Sequence, residues 1–328
     1  MAKEIYDFVS GLERAVSDDV ALEAEFTRIL FCGMGGSADS GEIIRSCVMG
    51  KANVPISVWR FPELPSWVGR ETMVIISSYS GNTLETVSMY RQAKNRGCPI
   101  IVITAGGDLE TQGMSDGFPV FRLDSGIQPR NALGISLSHL AKIMDSLCGT
   151  SCVKDIARIL PSLRAYREEL AEGGEALRLA QAVGNRVPVV YATTGLRAAS
   201  IRWKNQINEN AKMMAFAGSI PEFNHNETNG WLLGRIRAVC IPFFLCESSI
   251  EESAAAGGFI DFLRDSGQDV NVVRVEGETP LERTIRAVMA GDNMSLHLAQ
   301  CRKVDPMDIS FINMFKQRML AKSGRGDI

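Results

Sequence analysis

The chain reads as an α/β protein of two successive units, each a parallel sheet flanked by helices. Three observations predict this. Short apolar runs alternate with helical segments in the first half, and the same alternation returns after about residue 150. The length of 328 residues also suits two domains of ordinary size better than one.

The first unit opens on the apolar run 28–32, turns through Gly33-Met34-Gly35-Gly36-Ser37 and continues as a helix over 38–49. The run 73–76 breaks at Ser77-Ser78-Tyr79-Ser80-Gly81-Asn82-Thr83 into a helix over 84–95, and a strand at 99–104 follows. Helical patterning covers 132–147 and then 153–182, a segment rich in Glu, Arg and Leu that bridges the halves. The boundary is therefore placed near Thr150, giving units 1–150 and 151–328. The second unit reads as strand 188–192, turn Thr193-Thr194-Gly195, a helix to about Met214, strand 238–245, helix 251–265, strand 270–275 and more helix. Ile309, Ile312, Phe315 and Leu320 recur near helical spacing and predict a last helix over 306–320.

Composition removes several classes of function. The 35 Lys and Arg nearly balance the 38 Asp and Glu, a net charge of -3, without the basic excess of a nucleic-acid binder. The longest apolar stretch, 239–246, is far short of the roughly 20 residues that span a bilayer. Lys3, Glu4, Asp7, Glu13 and Arg14 crowd the first turns with no apolar export region behind them, which predicts a cytoplasmic protein. The eight cysteines are scattered without a C-x-x-C pair and read as reduced small hydrophobes. His139, His225 and His297 lie far apart, so no metal site is expected.

Three segments carry chemistry. The loop 77–83 sits where a buried strand gives way to a helix, whose N-terminus presents unpaired N–H groups and the positive end of the dipole. Ser78, Ser80 and Thr83 add hydroxyls and Gly81 permits the tight backbone, so the loop reads as a phosphate site. The competing reading is a plain helix cap by Ser80 or Thr83. Gly33-Met34-Gly35-Gly36-Ser37 lacks a P-loop lysine and the dinucleotide glycine spacing, so nucleotide binding is not indicated. On the helix after Gly195, Trp203, Ile207, Ala211 and Met214 form an apolar stripe, while Arg202, Asn205, Glu209 and Lys212 share another face. That second face is either solvated, with Glu209 paired to Lys212, or functional. Downstream, Pro221-Glu222-Phe223-Asn224-His225-Asn226-Glu227 holds a lone histidine, which suits proton transfer near neutral pH.

Taken in order, Gly-Met-Gly-Gly-Ser, Ser-Tyr-Ser-Gly-Asn-Thr-Leu-Glu-Thr, Trp-Lys-Asn-Gln-Ile-Asn-Glu-Asn-Ala-Lys and Pro-Glu-Phe-Asn-His-Asn-Glu resemble the bifunctional phosphoglucose/phosphomannose isomerase family over nearly the whole chain. The resemblance implies two sugar-isomerase (SIS) domains of flavodoxin-like fold and isomerisation of glucose 6-phosphate, fructose 6-phosphate and also mannose 6-phosphate through an enediol, without a cofactor. By motif, it implies that Ser78, Ser80 and Thr83 hold the sugar phosphate and that Gly35, Gly36 and Ser37 line the sugar. Glu209 would move the proton between C1 and C2, and His225, contributed by the other subunit of a homodimer, would open the ring. Arg130 would stabilise the enediolate, and Lys316 would assist ring opening. The family's mannose activity is associated with a threonine two helical turns before that lysine; here the run 305–311 has none, and Ser310, one residue from the position reached by counting back, is the nearest hydroxyl. Two rival expectations are a sugar-phosphate sensor, which needs neither Glu209 nor His225, and a hexosamine-phosphate enzyme.

Overall fold

The computed structural model describes residues 2–17, 20–172, 174–232, 234–247 and 254–322. After helix α1 (Ala2–Glu13), the first half runs β1 (Arg28–Gly33), α2 (Gly35–Val48), β2 (Ile56–Trp59), β3 (Thr72–Ser78), α3 (Leu84–Asn95), β4 (Ile100–Thr104), α4 (Gly107–Ser115), β5 (Val120–Arg122) and α5 (Leu133–Cys148). Its five strands are all parallel in the order β2-β1-β3-β4-β5, the flavodoxin arrangement. Strand β3 is buried along its whole length because helices cover both faces of a parallel sheet, which is why it reads as one apolar run.

The second half runs α6 (Cys152–Glu172), α7 (Gly174–Val183), β6 (Val187–Thr193), α8 (Arg197–Ala211), β7 (Phe216–Ile220), α9 (Ile236–Val239), β8 (Cys240–Glu247), α10 (Ala256–Asp265), β9 (Asn271–Val275), α11 (Pro280–Arg302) and α12 (Ser310–Lys322). Four parallel strands take the order β7-β6-β8-β9, the same winding with one strand fewer.

The two sheets share one layer of helices. A single apolar cluster joins Phe31, Ile75 and Ile101 of the first sheet to Val190, Ile241 and Phe243 of the second through Ile43, Leu140, Ile156, Trp203 and Ile285 on α2, α5, α6, α8 and α11. Trp203 is wholly buried, and its indole N–H donates to the Ala287 carbonyl at 2.7 Å. Close approach of α8 to α11 depends on Gly291, where a Cβ would fall 2.2 Å from the Trp203 ring. This layer sets α8 against α2, and with it the residues that matter below.

The structure corrects several expected elements. Strands β2, β5 and β7 were not foreseen: β2 and β7 form sheet edges and β5 is only three residues long, so none carries a full apolar run. The helix expected over 153–182 is two helices, α6 and α7, with Gly173 outside the described residues. The last helix begins at Ser310, not at 306, because the chain from 303 stays irregular and its Pro306 carbonyl is used elsewhere. The expected start of the 251–265 helix also lies outside the described residues, and the helix is seen from Ala256.

Candidate active site

Strand order reverses between β1 and β3, and in open parallel sheets ligands bind beyond the carboxyl ends of the strands at that point. Pairing of Gly33 with Ser77 brings the loop after β1 beside the loop after β3. In the second loop Gly81 has φ +68°, and a Cβ there would lie 1.8 Å from the Gly106 carbonyl oxygen, so only glycine fits. The buried Ser78 hydroxyl donates to the Thr83 hydroxyl at 3.1 Å, and Ser80 Oγ accepts from the Asn82 N–H at 3.2 Å. Thr83 stands at the N-cap of α3, yet its side chain caps no N–H of the helix. The simple cap expected as an alternative is therefore not formed, and the hydroxyls of Ser78, Ser80 and Thr83 gather at an uncapped helix start.

The loop after β1 opens α2, with Gly35 at φ +50°. Gly36 lies against the backbone of Arg130, where a Cβ would come within 3.3 Å of the Arg130 Cα. Arg130 belongs to a 3-10 turn, Pro129–Asn131, whose leading proline presets the helical φ. Its side chain is only 3% exposed. The guanidinium donates to Asn210 Oδ1 at 2.9 Å, Gln128 Oε1 at 3.1 Å, the Pro306 carbonyl at 2.7 Å and Glu209 Oε2 at 3.4 Å. Glu209 is 32% exposed, so its carboxylate leans on a buried cation while remaining open to a ligand.

The polar face of α8 is built in at Arg202 and Asn205, while Glu209 stays partly open and Lys212 is exposed. Arg202 is buried, and Asp292 grips it bidentately at 3.0 and 2.9 Å while Arg202 Nη2 donates to the Arg130 carbonyl at 2.7 Å. Asn205 Nδ2 donates to both carboxylate oxygens of Asp39, on α2, at 3.1 Å. Burial works against the Arg202 charge, but Asp292 and Asp39 hold its pKa above the ordinary value. Burial pushes the Asp39 carboxyl up, with Arg202 and Asn205 opposing it. Removing one partner of such a buried pair costs about 3–5 kcal/mol, so the network locks α2, α8 and α11 together around Arg130. The Glu209–Lys212 ion pair expected at helical spacing is not formed. Lys212, at φ +51°, instead donates to the backbone carbonyls of Glu209 and Pro306, and burial together with nearby Arg130 lowers its pKa.

Other expected site residues are not gathered here by a single chain. His225 ends an exposed 3-10 turn, Glu222–His225, and the segment is pinned by Phe223, whose ring stacks on Tyr191 at 4.2 Å, and by Glu227, which accepts from the Tyr191 hydroxyl at 2.9 Å. Among the described residues His225 makes no hydrogen bond to Arg130 or Glu209. Lys316 lies on α12, which is exposed on every described face, with Phe311 and Phe315 in the open. Ser310 is the first residue of that helix, its N–H taken by Asp308 Oδ1 at 2.8 Å. Ile309 therefore precedes the helix, and counting back two helical turns from Lys316 runs past its start. Asn210, Gln128 and Pro306 were missed: polar amides and a backbone carbonyl leave no periodic or charge signature.

No cluster of His, Cys, Asp or Glu able to hold a metal ion occurs among the described residues, and no described helix is long and apolar enough to cross a membrane. The cysteines are free, and burial pushes the thiols of Cys47 and Cys152 up to about 12, which suits inert packing groups.

Residues 24–116 match the family described as SIS domain, and residues 172–319 match bacterial phospho-glucose isomerase C-terminal SIS domain. A Caldicellulosiruptor bescii protein named bifunctional phosphoglucose/phosphomannose isomerase is 33% identical across 97% of this chain and 98% of its own length. A Sulfolobus acidocaldarius protein named D-glucosamine-6-phosphate 4-epimerase is 32% identical over 74% of this chain and 76% of its own. Among solved structures, the C-terminal domain of glucosamine-fructose-6-phosphate aminotransferase from Francisella tularensis superposes with a TM-score of 0.75 at 15% identity, covering 92% of this chain and 96% of that one, which shows a shared fold. With the near full-length likeness, the two SIS matches and the paired parallel sheets, the chain belongs to the bifunctional phosphoglucose/phosphomannose isomerase family.

Proposed function

We propose that this enzyme isomerises hexose 6-phosphates, interconverting glucose 6-phosphate and fructose 6-phosphate and, more slowly, mannose 6-phosphate, as a cytoplasmic homodimer with a phosphate-holding unit 1–150 and a second unit 151–328. The observation that carries this is the Glu209 carboxylate, 3.4 Å from the buried guanidinium of Arg130, a residue whose backbone packs against Gly36 at the strand-order reversal. Aldose–ketose exchange by an enediol needs a carboxylate to carry one proton between adjacent carbons and a fixed cation for the oxyanion that forms. Glu209 and Arg130 are that pair, and the route makes no demand for a cofactor. Gly35, Gly36 and Ser37 line the sugar. Ring opening falls to His225 of the partner subunit, with Lys316 assisting once α12 is docked.

In this scheme the phosphate rests on the start of α3, remote from the reacting carbons. Ser80→Ala or Thr83→Ala should raise KM while leaving kcat within a few-fold, each lost charged hydrogen bond costing roughly 1.5–3 kcal/mol. A fall in melting temperature with KM unmoved would mean that the hydroxyls serve only the fold of the loop.

The Sulfolobus relative favours one second reading, a hexosamine phosphate as substrate. A coupled assay offering fructose 6-phosphate, mannose 6-phosphate and glucosamine 6-phosphate, with and without chelator, separates the two. The expected result is chelator-resistant turnover of the neutral sugars, slower with mannose, and a further selective loss of mannose turnover in Ser310→Ala. Turnover of the amino sugar alone contradicts the proposal. Equal rates on both neutral sugars in the Ser310 variant would put control of the C2 face elsewhere in the pocket.

A further inference from the structure

Asn210 is fully buried at the end of α8, one residue past Glu209. Its Nδ2 donates to Ser295 Oγ at 2.8 Å, and the Ser295 hydroxyl donates in turn to the Asp292 carbonyl at 2.7 Å. The single hydroxyl proton of Ser295 is thus committed, and toward Asn210 it can only accept. That fixes the amide: its NH2 faces Ser295 and its oxygen faces Arg130 Nε, 2.9 Å away. The same turn of α11 holds the other end of the arginine, since Asp292 grips Arg202 and Arg202 donates to the Arg130 carbonyl. Backbone and side chain of Arg130 are both referenced to one rigid helix.

The chemistry of the acceptors matters as much as their position. Asn210, Gln128 and Pro306 each offer Arg130 a neutral oxygen. An aspartate at position 210 would fill nearly the same volume and still accept from Arg130, but it would have no proton for Ser295 and would place a second negative charge on the guanidinium beside Glu209.

We infer that Asn210 is a positioning residue that aims Arg130 at the reacting carbons without neutralising it, its own orientation set by Ser295. This rests on the proposed role of Arg130 as the cation for the enediolate. The test uses the full chain with Asn210→Asp, Asn210→Ala and Ser295→Ala. It measures kcat and KM separately on fructose 6-phosphate, together with the Arg130 Nε–H resonance in a 15N-labelled sample, assigned by its loss in Arg130→Lys. Asn210→Asp should lose about a hundredfold in kcat with KM within roughly threefold, the pattern of an oxyanion cation that is partly neutralised. Ser295→Ala should lose less, in the same direction, and Asn210→Ala should expose the protected Nε–H to solvent exchange. Native kcat in Asn210→Asp while Arg130→Lys is inactive overturns the inference, as does a protected Nε–H in Asn210→Ala. If Asn210→Asp does not fold, an unchanged kcat in Ser295→Ala overturns it instead. Should the native protein not isomerise the sugar at all, the proposed reaction fails, and the resonance still decides whether Asn210 holds Arg130.

Discussion

Glu209→Gln is expected to keep substrate binding and to lose turnover by at least about a hundredfold, the low end for a positioned general base. The amide preserves the shape of the side chain and can still lie beside Arg130, but it cannot take a proton from carbon. The buried guanidinium then loses a neutralising carboxylate at 3.4 Å, so affinity for an anionic sugar phosphate should hold or improve. Measuring kcat alongside the dissociation constant of a non-reacting sugar phosphate checks both halves. Retention of most of the activity would remove Glu209 from the mechanism, and a collapse of binding with kcat intact would make it a binding group.

His225→Ala and Glu209→Gln, each inactive alone, are expected to regain activity when unfolded and refolded together. His225 stands exposed on a turn fixed to the outer face of the second sheet, while Glu209 and Arg130 lie by the shared helical layer. If one site draws Glu209 from one subunit and His225 from the other, each mixed dimer holds one site with both native groups. Random pairing of two subunits by a two-fold axis then restores about a quarter of the native activity. No recovery, with mixed dimers shown to form by mass, would place both residues in one subunit's site.

Strand β3 and the loop behind it were legible in the sequence because a strand buried on both faces leaves an unbroken apolar run, and the loop that follows concentrates hydroxyls and glycine. Edge strands β2 and β7 were not, because partial exposure dilutes the apolar signal and Gly218 interrupts the second of them. The polar stripe of α8 was visible as a stripe, but whether it faced water or protein was not. Periodicity gives the angle of a side chain about its own helix and says nothing of what packs there, and here α11 and α2 cover its Arg202 and Asn205. Arg130 was reached only through the family resemblance, since by its own chemistry it reads as a surface charge: its burial and its contact with Glu209 join positions 79 residues apart, a product of tertiary packing. Asn210 lay within a motif that was noticed, yet its partners Arg130 and Ser295 are 80 and 85 residues away.

A proton carried by Glu209 between C1 and C2 must at times exchange with solvent, because the carboxyl group that holds it is 32% exposed. Running the conversion of fructose 6-phosphate in heavy water and reading the product by NMR follows that proton. The native enzyme should place deuterium at C2 of glucose 6-phosphate, and Glu209→Gln should suppress both the conversion and the labelling together. Glucose 6-phosphate formed at the native rate with no deuterium at C2 at any stage, or labelling that persists undiminished in Glu209→Gln, would contradict a carboxylate-shuttled enediol at this site.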